Sequence, residues 1–118
     1  MSNIKVLIAD DHAVVRQGLK HIIERDSGIE VIGEAENGNE VLERVQALEI
    51  DVILMDIEMP EKNGMETLDH LKTSNSNLPV IILSIFAEEQ YGLRLIQSGA
   101  SSYLSKTCPP SQLLEAIH

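Results

Sequence analysis

The stretch VLIADDH, Val6 to His12, decides the fold. Four apolar residues, Val6 to Ala9, stop abruptly at two adjacent carboxylates and a histidine. A short apolar run without polar alternation marks a strand buried on both faces, as in a parallel sheet. Asp10 and Asp11 then fall where that strand gives out. Like charges side by side repel, which raises the question of what stabilises the pair.

The same kind of run recurs along the chain. Strands are predicted at Ile4–Ala9, Ile29–Glu34, Val52–Met55, Val80–Leu83 and Ser102–Leu104. The first, third and fourth are almost wholly apolar. Helical periodicity fills the intervals. Val15, Leu19, Ile22 and Ile23 share a face, as do Val41, Leu42, Val45 and Leu48. Met65, Leu68 and Leu71 repeat the pattern, and Leu93 and Ile96 follow it in a fourth helix. A fifth helix opens near Pro110-Ser111 with Leu113, Leu114 and Ile117, Pro110 suiting an early helical position. Asp26-Ser27-Gly28, Asn37-Gly38-Asn39, Pro60 with Gly64, and Ser98-Gly99 supply the turns. Five βα units without linker or low-complexity segment imply a doubly wound α/β domain. The fifth helix has barely two turns before His118, so the segment is expected to belong to a longer protein.

Composition narrows the function. The chain has 118 residues, a length that suits one domain, and its 43% hydrophobic content supports a real core. No apolar run approaches the roughly 18–20 residues that span a bilayer. The start, MSNIKVLIADD, lacks the cleavage site of a secretory signal. The single Cys108 excludes an internal disulfide framework, fits a reducing cytoplasm, and reads as a loop bystander. A net charge of −10 repels phosphate backbones, and 3% aromatics offers little to stack on bases. This segment is therefore not expected to grip nucleic acid; a cation or a basic partner suits it better.

In an open parallel sheet, ligands bind beyond the carboxyl ends of the strands, at the switch point of the topology. Asp10 and Asp11 leave the first strand there, and Asp56 leaves the third, in VILMDIEMP. If those strands are neighbours, three carboxylates converge. At about 5 Å and an effective dielectric of about 20, each pair costs roughly 3 kcal/mol. Mg²⁺, which takes hard oxygen ligands and keeps several waters, offsets that repulsion. The plainer reading is that Asp10 or Asp11 only caps the first helix. Ser84 ends the fourth strand in VIILS and Lys106 follows the fifth in YLSK. Taken singly, these are an ordinary strand-end hydroxyl and a solvated lysine. Taken together, a carboxylate nucleophile, a metal, a hydroxyl and an ammonium make up an aspartyl-phosphate site.

Asp10-Asp11, Asp56 with Met59-Pro60, Ser84 and Lys106, in this order and spacing, resemble the receiver domain of two-component response regulators. DDH…R.G at the start and GASSYLSK near the end resemble its NarL/FixJ (LuxR-type) subfamily. The resemblance spans essentially the whole chain. It implies a five-stranded, flavodoxin/CheY-like (βα)5 domain with strand order 2-1-3-4-5. It implies that Asp56 accepts a phosphoryl group from a sensor histidine kinase. Asp11 and Asp56 would bind Mg²⁺ directly, Asp10 through water and Glu58 through its backbone carbonyl, with Mn²⁺ able to substitute. Lys106 would pair with the phosphoryl oxygens, Ser84 would turn to hydrogen-bond them, and Tyr103 would move inward as the switch aromatic.

The resemblance also implies a homodimer in the cytoplasm and a helix-turn-helix output domain after residues 1–118, which alone would touch DNA. The domain would be no enzyme beyond its own phosphotransfer and autodephosphorylation. Thr107 stands where many receivers have a proline, and Ile85-Phe86 follow Ser84 where many have a small residue. His12 is expected at the helix start or in packing rather than on the metal. A haloacid-dehalogenase-like phosphatase would also form an aspartyl phosphate. It would carry an aspartate where Glu58 stands, and it would need a longer chain.

Overall fold

A computed structural model describes residues 3–57, 59, 61, 63–73, 78–84, 100–105 and 110–117, with Ser84, Tyr103 and Ser105 described by their backbone. The strands are β1 (Ile4–Ala9), β2 (Ile29–Ala35), β3 (Val52–Asp56), β4 (Val80–Ser84) and β5 (Ser102–Ser105). The helices are α1 (Ala13–Ile23), α2 (Gly38–Ala47), α3 (Gly64–Thr73) and α4 (Pro110–Ile117). The helix expected around Leu93 and Ile96, and its Ser98-Gly99 turn, lie outside the described residues.

The strands form one parallel sheet in the order β2-β1-β3-β4-β5. The fold is thus the flavodoxin/CheY-like α/β architecture. Strand alternation sends successive side chains to opposite faces. Leu7, Ala9, Ile53, Met55 and Ile82 pack on one face with Val41 of α2 and Leu68 and Leu71 of α3. Val6, Ile8, Leu54, Ile81 and Leu83 pack on the other with Ile23 of α1 and Leu113 and Ile117 of α4. A sheet covered on both sides explains why β1, β3 and β4 carry unbroken apolar runs.

Four strands run one residue past their expected ends: β2 past Glu34 to the apolar Ala35, and β3, β4 and β5 past an apolar residue to Asp56, Ser84 and Ser105. Asp56 still pairs with Leu83, Ser84 with Ser105, and Ala35 with Ala9. The polar residues Asp56, Ser84 and Ser105 therefore sit in the ladder, where backbone hydrogen bonds fix them. Hydropathy alone ends β3, β4 and β5 at their last apolar residue and misses that step.

β2 departs from even pairing. Val6 pairs with Val31, but Leu7 pairs with Gly33, so Ile32 is an extra residue. A bulge of this kind bends the strand and re-aims the side chains beyond it.

Candidate functional site

β1 and β3 are neighbours, while the chain leaves β1 for β2 on its other side, which makes their carboxyl edge the switch point. Asp10 follows β1 and is 1% exposed; Asp56 closes β3 and is 6% exposed. Carboxylate oxygens of Asp10, Asp11 and Asp56 and a ring nitrogen of His12 all lie within 4.8 Å of one another. The sequence expectation that three acids converge is realised as geometry.

Local backbone chemistry holds the two adjacent acids. The Asp10 N–H donates to the Ala35 carbonyl at 3.0 Å, which ties the end of β1 to β2. Asp10 Oδ1 accepts the His12 N–H at 2.8 Å, a turn closed by its own side chain. His12 Nδ1 stands 3.2 Å from Asp10 Oδ1 and 3.1 Å from Asp11 Oδ1. His12 is also the residue before the first turn of α1, with its side chain making no cap hydrogen bond. The helix-start expectation holds for its backbone, but its ring joins the acids.

A further side chain reaches the same corner. Arg16 of α1 donates from Nη1 to the Asp10 carbonyl at 2.6 Å and from Nε to Glu34 Oε1 at 2.9 Å. On the β3 side, the Gly64 N–H donates to the Ile57 carbonyl at 2.8 Å, docking the start of α3 against the backbone that carries Asp56. Arg16 appears in the sequence only as part of DDH…R.G, and Glu34 as the end of a strand. Nothing in the sequence pattern links them: by simple alternation Glu34 shares a face with Glu30 and Ile32, and only the bulge in β2 brings it to Arg16.

The donor set decides what the site can hold. Three carboxylates crowd together, Asp10 and Asp56 buried and Asp11 open to solvent, and carboxylate oxygen prefers hard divalent cations such as Mg²⁺, Ca²⁺ and Mn²⁺. The residues present fit such an ion, and they leave Asp56 beside it at a strand end. Ser84 and Tyr103 have their backbones in β4 and β5, Ser84 at the same carboxyl edge as Asp56 and Tyr103 opposite Ile82. Glu58, Pro60, Ile85, Phe86, Lys106, Thr107, Cys108 and His118 lie outside the described residues. Among the described residues, no helix is long and apolar enough to cross a membrane.

The family profile of the response regulator receiver domain matches residues 6–118. The chain belongs to this family of two-component signalling domains. It is 37% identical over 113 residues to the nitrate/nitrite response regulator NarL of Escherichia coli K12, covering 96% of this chain and 52% of NarL. It is 45% identical over 113 residues to the transcriptional regulatory protein YdfI of Bacillus subtilis, covering 96% of this chain and 53% of YdfI. Its structure resembles the receiver domain of a response regulator NarL from Mycobacterium tuberculosis, with a TM-score of 0.93 at 26% identity, over 99% of this chain and 94% of that one. The chain spans about half the length of the curated relatives it matches.

Proposed function

We propose that residues 1–118 are the phosphoacceptor domain of a two-component response regulator, with Asp56 as the residue that takes the phosphoryl group. The observation that carries this reading is the gathering of Asp10, Asp11 and Asp56 within 4.8 Å at the switch point of the sheet. An Asp56 oxygen attacks the phosphorus of a phosphohistidine on a sensor histidine kinase. A P–O bond forms to the carboxylate, the P–N bond breaks, and its electron pair returns to the imidazole. The phosphorylated side chain carries about one more negative charge than before.

Asp11 and Asp56 are the residues that would hold Mg²⁺ directly, Asp10 through water and Glu58 through its carbonyl; Mn²⁺ suits the same oxygens. When bound, the ion supplies positive charge that offsets the crowded acids and the incoming phosphoryl oxygens. Lys106 pairs with those oxygens, and the Ser84 hydroxyl donates to one of them. The motion of Ser84 makes room for Tyr103, so a local charge change repacks the surface around β4 and β5. The family resemblance and the strand-end position of the Ser84 backbone support these roles.

Support for the output comes from the relatives, which are about twice as long and include a protein named as a transcriptional regulator. On this reading a C-terminal helix-turn-helix domain contacts DNA, and residues 1–118, at net −10, do not. The regulator works in the cytoplasm, pairs as a homodimer, and catalyses nothing beyond its own phosphorylation and dephosphorylation. Acetyl phosphate with Mg²⁺ should label a single residue, and Asp56→Asn should abolish the label. A label retained in that variant would refute the assignment.

A further inference from the structure

We propose that Arg16 is a positioning residue for the divalent-cation site, aimed there by the bulge in β2. The inference rests on the reading that Asp10, Asp11 and Asp56 hold the ion. Arg16 is nearly buried, its side chain 12% exposed. Its guanidinium bridges three partners: the Asp10 carbonyl at 2.6 Å, Glu34 Oε1 at 2.9 Å, and Glu36 Oε1 at 3.6 Å.

The Asp10 carbonyl lies in the peptide plane that joins Asp10 to Asp11. Fixing that oxygen sets the direction in which Asp11 leaves the strand. The Asp10 N–H is already tied to Ala35 of β2. Held on both sides, the backbone keeps two mutually repelling carboxylates on the side where Asp56 arrives. Arg16 thus acts through Asp10 and Asp11 and does not touch the ion.

The bulge explains how Glu34 comes to meet Arg16. Ile29 and Val31 pack on the α1 side of the sheet, while Ile32 packs on the α2 side. Gly33 also turns to the α2 side: a β-carbon there would meet Leu48 Cδ1 at 3.1 Å and Leu7 Cδ1 at 3.2 Å. Two consecutive residues share one face, so Glu34 pairs with Ile8 and projects toward α1. Even alternation from Val31 would send Glu34 to the α2 side, away from Arg16. The planar guanidinium serves the backbone carbonyl and the carboxylate from separate nitrogens held in fixed geometry, whereas a lysine must reach both from one nitrogen.

The sign of the effect separates this role from simple electrostatics. Removing a positive charge near a cation site should tighten cation binding on Coulombic grounds. Loss of a positioning contact should weaken it, by about tenfold for a partner standing behind the ligands. The test is Mn²⁺ affinity by calorimetry on the 118-residue chain, with circular dichroism to verify folding. Arg16→Ala should bind Mn²⁺ about tenfold more weakly than wild type, and Arg16→Lys should fall between. Excess Mg²⁺ should recover acetyl phosphate labelling in Arg16→Ala, which an unfolded chain would not allow.

Asp11→Asn calibrates the site and should lose most Mn²⁺ binding. If wild type binds, Asp11→Asn does not, and Arg16→Ala binds as wild type does or more tightly, the positioning role is overturned alone. If wild type shows no Mn²⁺ binding, or Asp11→Asn binds normally, the metal reading falls and the positioning role with it. Should Arg16→Ala fail to fold, Arg16→Lys decides: wild-type affinity in that variant overturns the role.

Discussion

A β-carbon on Gly64 would stand 2.7 Å from the Asp56 carbonyl oxygen, closer than real carbon–oxygen contacts allow. It would also lie 2.8 Å from Ile57 Cα. The start of α3 is thus pressed onto the backbone that presents Asp56. Gly64→Ala must move α3 or β3, since both obstructing groups are backbone. The expected cost is about 1–3 kcal/mol in urea unfolding, together with slower acetyl phosphate labelling. Unchanged stability with unchanged labelling would show that the loop yields freely.

The entry to α3 is a reciprocal cap. Asn63 Oδ1 accepts the Glu66 N–H at 2.9 Å, and Glu66 Oε1 accepts the Asn63 N–H at 3.3 Å. Thr67 Oγ1 adds a donation to the Asn63 carbonyl at 2.7 Å. Asn63→Ala should destabilise the domain by about 1 kcal/mol, and Asn63→Asp by far less. Equal melting temperatures for the two variants would contradict the cap.

Glu61, in the loop between β3 and α3, has φ of 64°, in the left-handed region. That conformation costs an ordinary residue roughly 1–2 kcal/mol, least for Gly and Asn and most for β-branched side chains. Glu61→Gly and Glu61→Asn should therefore be neutral or stabilising. Glu61→Val should lose about 1 kcal/mol relative to them. The order of the three in thermal unfolding is the measurement, and Val as the most stable would reject the strain.

Divalent cation should stabilise the native state by mass action, because the carboxylates gather only when β1 and β3 pair. At a hundredfold excess over Kd the gain is about 2.7 kcal/mol. Mg²⁺ should raise the Tm of wild type, EDTA should reverse the rise, and Asp11→Asn should respond little. A rise of the same size in Asp11→Asn would place the ion elsewhere.

Much of the fold is legible because its decisive residues act locally. Val6–Ala9, Val52–Met55 and Val80–Leu83 are apolar without alternation, and a strand covered on both faces demands that. Asp10, Asp11 and Asp56 are legible as a site because they stand directly after such strands, where parallel topology places ligands. The features that escape the sequence are relations between distant residues. The extra residue Ile32 leaves no mark in the hydropathy of β2, yet it decides that Glu34 meets Arg16. The closeness of Gly64 to Asp56 belongs to the packing of α3 on β3, and the sequence shows only a glycine after a loop. His12 reads as a helix-start residue, which it is, while its ring position between two acids depends on the turn that Asp10 closes.

The most direct test of the central claim is to locate the phosphoryl group by mass spectrometry after incubation with acetyl phosphate, with Mg²⁺ present and with EDTA. The label is expected on Asp56 alone, in Mg²⁺ alone, and strongly reduced in Asp11→Asn. A label on another residue, or on Asp56 at the same rate in EDTA, would contradict a cation held by these carboxylates beside a phosphate-accepting aspartate.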